Sequence, residues 1–227
     1  MLPAHPPDQV PQDPARFMAA LEPLRRDPDS FLAAGSAALE PLLEAWGNRR
    51  WAAWSDYLQI AMREALTAPG PILECGSGLS TLLLGCCAQA AHVGLWSLEE
   101  QPAWAARIAH LAQQLQLPAI TLCPAPLRDY PEGFRWYAPP WERLPQAPFH
   151  LIACDGPAAR HDPHSRYGLL PVMRPHLAPG AIILLDDGER DGEQAIAARW
   201  AATLGCRIER HASPHSEKIC LHLKVPQ

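Results

Sequence analysis

Between Phe17 and Leu66, apolar residues recur at three- and four-residue steps, and Trp51, Trp54, Leu58, Met62 and Ala65 share one predicted helical face. After Pro69-Gly70 the pattern changes to short apolar runs alternating with helical segments, the sequence form of βαβ units around a mostly parallel sheet. Strands are predicted near 71–75, 93–98, 119–123, 149–154, 181–186, 206–211 and 218–224, with helices over 79–90, 102–116, 167–177 and 191–204. The last of these carries Ile196, Trp200 and Leu204 on one stripe, and Gly205 is placed to end it. The two closing runs, joined by Ser213-Pro214-His215-Ser216, predict a hairpin whose final strand is antiparallel. The expected fold is α/β: a seven-stranded, mostly parallel sheet with helices on both faces and a helical N-terminal extension.

Residues 1–14 hold five prolines and little apolar material, which predicts a flexible tail. A helical cap over 15–69 and a sheet domain over 70–227 follow. The hexapeptide at 19–24 recurs at 37–42, but nothing around it repeats. Where a helix would be usual between the third and fourth strands, Pro131, Pro139 and Pro140 forbid a regular one. The aromatic residues of this loop (128–146) suit either a flap over a ligand or a loop anchored on the body, the commoner case.

Composition narrows the function. Of 227 residues, 48% are hydrophobic and 19% charged, as in an ordinary globular chain, and the net charge of −5 offers no footprint for a phosphate backbone. Nucleic acid is therefore not expected as a partner. No apolar stretch approaches the roughly 20 residues of a membrane helix, so a cytoplasmic location is expected. The seven cysteines lack zinc spacing and sit in apolar segments, which reads as a reducing compartment. Cys75 and Cys154 flank the candidate site and are the two that could be reactive.

The chemistry begins at Glu74-Cys75-Gly76-Ser77-Gly78, an apolar strand running into a glycine turn and a helix. Glycines let the backbone approach a ligand, and the helix start offers free amides. A phosphate-binding P-loop would need a Gly-Lys-Ser/Thr ending, and a dinucleotide turn wants Gly or Ala where Thr81 stands. What remains is an acid-x-Gly-x-Gly loop.

Leu73 to Thr81 resembles motif I of the class I S-adenosylmethionine-dependent methyltransferases, which have a Rossmann-like fold. The resemblance implies that Gly76, Ser77 and Gly78 pass under the aminoacid part of S-adenosylmethionine. Glu74 would hold its ammonium directly or through water, and Ser80 would contact its carboxylate. Glu99 ends the next strand, where an acid can accept both ribose hydroxyls. Glu100 to Trp104 resembles the second motif, with an aromatic residue near the adenine. Phe149 to Pro157 matches a third, in which Asp155 would lie beside the transferred methyl, as a cofactor contact and catalytic residue, and Arg166 echoes an arginine found after it. Ala178 to Asp187 resembles the turn and fifth strand.

If the strands ending at Asp155 and Asp186 are neighbours, Asp155, Asp186 and Asp187 converge and repel unless protonated, hydrogen-bonded or bridged by a cation. Oxygen ligands of this kind suit Mg²⁺, and the trio resembles that of metal-dependent catechol-type O-methyltransferases, with Asp187 in place of an Asn. In the other reading Asp187 caps the helix beginning near Glu189 or pairs with Arg190. His161 and His164 could each serve as a base, though surface solvation is the commoner role.

The function expected is S-adenosylmethionine-dependent methylation of a small-molecule acceptor, at oxygen before nitrogen. The rivals are a non-catalytic protein that keeps the fold, an aminopropyl transferase and a nicotinamide-dependent enzyme. The last is disfavoured by Thr81.

Overall fold

The computed structural model describes residues 10–48, 52–158, 162–214 and 216–227. The N-terminal segment folds as α1 (Pro14–Arg26), α2 (Pro28–Ala33), a 3-10 turn (Ser36–Leu39), α3 (Glu40–Trp46) and α4 (Ser55–Leu66). Prolines at the starts of α1, α2 and α3, and left-handed Gly47 after α3, divide what the apolar periodicity suggests is one long helical region. Asp13 caps α1 and Asp27 caps α2, each accepting a backbone N–H three residues on. Packing starts earlier than the proline content predicts. Val10 is buried, and the amides of Gln12 and Asp13 donate to the carbonyls of Trp46 and Ala45, so the described part of the expected tail is docked. Residues 1–9 and Trp51 lie outside the described residues.

The sheet domain follows as β1 (Ile72–Cys75), α5 (Leu79–Ala90), β2 (Leu95–Glu99), α6 (Pro102–Gln114), β3 (Ile120–Pro124), β4 (Leu127–Tyr130), β5 (Phe134–Tyr137), β6 (Phe149–Cys154), α7 (Leu169–Met173), β7 (Leu177–Leu185), α8 (Asp191–Leu204), β8 (Ile208–Ala212) and β9 (Ile219–Lys224). The seven-stranded sheet has the order β3-β2-β1-β6-β7-β9-β8. Its first five strands are parallel, and β9 runs antiparallel between β7 and β8. The strand order therefore reverses between β1 and β6, which opens a crevice at their carboxyl ends.

Alternation along the strands sorts two cores. Ile72, Leu151, Ala153 and Leu184 face α1, α4, α5 and α6, while Leu73, Ile152, Ile183 and Leu185 face α7, α8 and the β4–β5 hairpin. The N-terminal helices thus share one core with the sheet.

Two predicted elements differ in form. The aromatic loop is a hairpin, β4 pairing with β5 through a turn at Gly133 (φ 84°), and Trp136 and Tyr137 are fully buried. It occupies the second core where a helix would otherwise pack, so the anchored reading of the loop holds. The helix expected over 167–177 is α7 plus a 3-10 turn at Arg174–His176, because Pro175 has no N–H to continue the ladder, and β7 begins at Leu177 rather than 181.

Candidate functional site

Backbone pairing continues one residue past three adjacent strands and lines up the residues that follow them. Gly76 donates to Leu98 (2.9 Å), Asp155 and Gly156 donate to Cys75 (3.1 and 2.6 Å), and Asp186 donates to Cys154 (3.0 Å). Gly76, Asp155 and Asp186 therefore emerge together at the switch point. Gly76 adopts φ 90°, and a Cβ on it would stand 3.1 Å from the Gly156 nitrogen. A side chain at either glycine would force the two loops apart.

Glu74 does not line the cleft over this loop. It is buried beneath it, where Oε2 accepts from Thr81 Oγ1 and Ser97 Oγ, both at 2.6 Å, and Thr81 Oγ1 in turn accepts the Gly78 N–H at 2.9 Å. There it braces the glycine turn from below. Thr81 is the residue that sequence reasoning missed; its hydroxyl fills the slot that Gly or Ala takes in a dinucleotide turn. Burial pushes the Glu74 carboxyl up to about 7, with the Ser80, Ser97 and Thr81 hydroxyls opposing the shift.

Glu99 ties β2 to the same loop. Its Oε2 accepts from Ser77 N (3.0 Å) and Ser77 Oγ (2.8 Å), and its Oε1 accepts from Gln101 N (2.9 Å). Glu99 also lines the cleft. Burial raises its pKa. Trp104 of α6 donates to Ser77 O (2.9 Å) and meets Trp46 edge to face at 6.5 Å, which closes an aromatic wall beside the loop.

These residues lie on a cleft of about 1240 Å³ bounded by the glycine loop, the loop after β6 and the N-terminal helices. Gly76, Ser77, Gly78, Ser80, Glu99 and Asp155 all line it. Gly78 is the test of fit. Its backbone is extended (φ 174°), and a Cβ there would meet no protein atom within 4 Å, so the missing side chain leaves room in the cleft itself. Across from it stand Leu43, Trp46, Asn48 and Trp54. Trp54 precedes α4 rather than sharing its apolar face, and its indole N–H donates to Asp186 Oδ1 at 2.6 Å.

The aspartate trio converges as expected, with carboxylate oxygens within 4.8 Å of one another. It is already matched by cationic side chains. Arg166, itself buried, sets Nη2 2.9 Å from Asp155 and 3.0 Å from Asp187, while Nη1 donates to the Asp186 carbonyl at 2.9 Å. Arg190 (2.8 Å) and Lys218 (2.7 Å) also pair with Asp187. These donors do not fit a Mg²⁺ site: an ion would have to displace or adjoin a guanidinium already held by two of its ligands, against like charge. The pairing of Asp187 with Arg190 is present, but the helix cap is not, since α8 has no side-chain cap bond.

Within the trio the groups diverge. Burial first, and then neighbouring Asp155 and Asp187, hold the Asp186 carboxyl well above its usual range. Asp187 is lowered: burial opposes this, but Arg166, Lys218 and Arg190 together prevail. Asp155 is raised to about 6, chiefly by burial, with Arg166 opposing. All three line the cleft, and Asp155 is the most exposed of them, its side chain 30% accessible against 9% for Asp187. Cys75 is fully buried with its thiol pushed well up by burial, which removes it as a nucleophile. Cys154 is buried too. His164 is exposed and outside the cleft, and His161 lies outside the described residues.

The glycine turn, Glu99 and Asp155 thus meet on one cleft at the switch point. The methyltransferase-domain family matches residues 73–188, over half of the chain, and the chain belongs to it. It is a class I S-adenosylmethionine-dependent methyltransferase. No curated protein sequence matches it significantly. Among solved structures it is similar to a precorrin-6y C5,15-methyltransferase from Geobacter metallireducens (9% identity, 79% of this chain and 92% of that one, TM-score 0.56). It is also similar to cofactor-bound Rv0187 from MTB (18%, 100% of both chains, 0.55). A protein described as an O-methyltransferase from Klebsiella pneumoniae gives 20% identity over 95% and 98% of the two chains, with a TM-score of 0.53. Likeness at these identities concerns the fold alone. Among the described residues no helix is long and apolar enough to cross a membrane.

Proposed function

We propose that this methyltransferase acts on a small molecule, at a hydroxyl oxygen in preference to nitrogen, with Asp155 as the acid that receives the acceptor. The carrying observation is that Asp155 has the most accessible carboxylate of the trio, held by Arg166, where the glycine loop meets the N-terminal helices. S-adenosylmethionine, when bound, supplies an electrophilic methyl group. Gly76, Ser77 and Gly78 would bring backbone to its aminoacid part, Ser80 would contact its carboxylate, Glu99 would accept its ribose hydroxyls and Trp104 would flank its base. Glu74 would act from below by holding the turn through Thr81.

Asp155 would accept a hydrogen bond from the acceptor's hydroxyl and take its proton, being largely ionised at neutral pH with its pKa at about 6. Arg166 fixes that carboxylate and offsets its charge. Trp46, Trp54 and Trp104 exclude water from the reacting pair, and alignment does most of the remaining work. A small acceptor is supported by the α3–α4 wall over the cleft, and the net charge of −5 speaks against a polyanion. The test is methyl transfer from labelled donor to phenols, hydroxy acids and amines. Turnover confined to hydroxyl acceptors and lost in Asp155→Asn supports the reading; turnover on amines, or full activity of Asp155→Asn, contradicts it.

A further inference from the structure

The outer hairpin of the sheet brings together three metal-ligating side chains that the methyl-transfer site does not use. Glu209 and His211 lie two positions apart on β8, so both project from one face. Glu209 is directly opposite His222 of β9, and His211 is opposite Cys220. The two imidazole rings stand 5.6 Å apart and nearly parallel, at 30°. None of the three lines the cleft.

The separations are informative. Glu209 Oε2 is 4.0 Å from His211 Nε2 and 3.9 Å from His222 Nδ1, and the ligand atoms of all three lie within 4.8 Å of one another. These distances exceed hydrogen-bond reach, about 3.2 Å. They lie within about 0.6 Å of the roughly 3.3–3.4 Å that separates two ligands on one tetrahedral ion, a gap that small side-chain rotations would close. His211 Nε2 is shielded from solvent and has no hydrogen-bond partner, a state that buried polar atoms rarely keep without an occupant.

We propose that Glu209, His211 and His222 form a divalent transition-metal site of the zinc class, with two imidazoles, one carboxylate and a position open to water. Two nitrogen ligands select zinc-like ions over Mg²⁺ or Ca²⁺. Burial lowers the His222 pKa and so favours its neutral, ligating form; Glu64 of α4 and Glu209 oppose this, while His211 and Lys224 add to it. The ion would clip the outermost strand β8 to β9. That hairpin's turn carries Ser213 to Asp56 and Lys218 to Asp187, so the clip would firm one margin of the cleft.

The test uses tag-free, chelator-stripped full-length chain, titrated with ZnCl₂ by calorimetry and with CoCl₂ by visible spectroscopy. The expected result is one ion per chain, a higher melting temperature and a cobalt spectrum of low coordination number. His211→Gln and His222→Gln should each weaken binding on the order of tenfold or more. Glu209→Gln, at a residue whose side chain is 71% exposed, should weaken binding with the fold intact. Asp155→Asn should leave zinc uptake unchanged, which separates this site from the aspartate trio. No uptake by the wild type, or uptake at wild-type affinity in the histidine variants, would overturn the proposal.

Discussion

Arg166 donates to Asp155 across 2.9 Å from a side chain that is only 3% exposed, and the same nitrogen reaches Asp187 at 3.0 Å. One guanidinium therefore already bridges two of the three carboxylates that a shared ion would need. Removing it would leave buried carboxylates without their main counter-charge. Arg166→Met is expected to lose about 3–5 kcal/mol of stability at neutral pH, measured by urea unfolding. By the same account, adding Mg²⁺ to the chelator-stripped enzyme leaves methyl transfer unchanged, and stimulation by Mg²⁺ that Asp155→Asn abolishes would return a metal to the trio.

Trp54 links the N-terminal helices to the site through its bond to Asp186. Trp54→Phe keeps an aromatic wall and deletes the donor. The expected cost is about 1–2 kcal/mol of stability, with a higher KM for the acceptor and little change in affinity for S-adenosylhomocysteine. Equal losses for acceptor and cofactor would show that Trp54 serves the fold alone.

The pH dependence follows from Glu74. Its folded pKa of about 7 lies above the ordinary 4.5, so the native state binds the proton more tightly than the unfolded chain. The stabilisation this gives is complete below about pH 4.5 and is lost as pH rises through about 7. Glu74→Gln keeps an oxygen for Thr81 and Ser97 and removes the titration. Its melting temperature is expected to flatten between pH 5 and 8, with the gain over wild type largest at pH 8. A wild-type stability that does not fall over that range contradicts the assignment.

Much of this site is legible in the sequence, because glycines punctuate it. The predicted 79–90 and 191–204 coincide with α5 and α8, bounded by Gly78 and Gly205, and 149–154 coincides with β6. The positions of Glu99 and Asp155 follow from strand ends in the same way. What stays hidden depends on three-dimensional partners. The β4–β5 strands are four residues each, too short to show alternation. Thr81 reads in the sequence only as a departure from the dinucleotide turn, since its bond to Glu74 appears once the turn is formed. The charge balance of the trio depends on Lys218, which is 31 residues from Asp187 along the chain.

Glu99 lines the cleft while holding the amide and hydroxyl of Ser77. Glu99→Ala is expected to weaken S-adenosylhomocysteine binding by about one to two orders of magnitude, since charge-assisted bonds are worth roughly 1.5–3 kcal/mol. Part of the loss comes through Ser77, whose N–H and hydroxyl are released. Glu99→Gln should recover part of the affinity, and unchanged affinity in the alanine variant would move the ribose site elsewhere.

Calorimetric titration of S-adenosylhomocysteine into wild type and Gly78→Ala tests the central claim most directly. The Gly78 backbone is extended and its added Cβ would meet no protein atom within 4 Å, so the variant should fold with an unchanged melting temperature. The methyl group would instead project into the space assigned to the cofactor. The account predicts one site per wild-type chain, a melting temperature raised by the ligand, and binding at least about tenfold weaker in the variant. No binding to the wild type, or equal binding to both proteins, would contradict it.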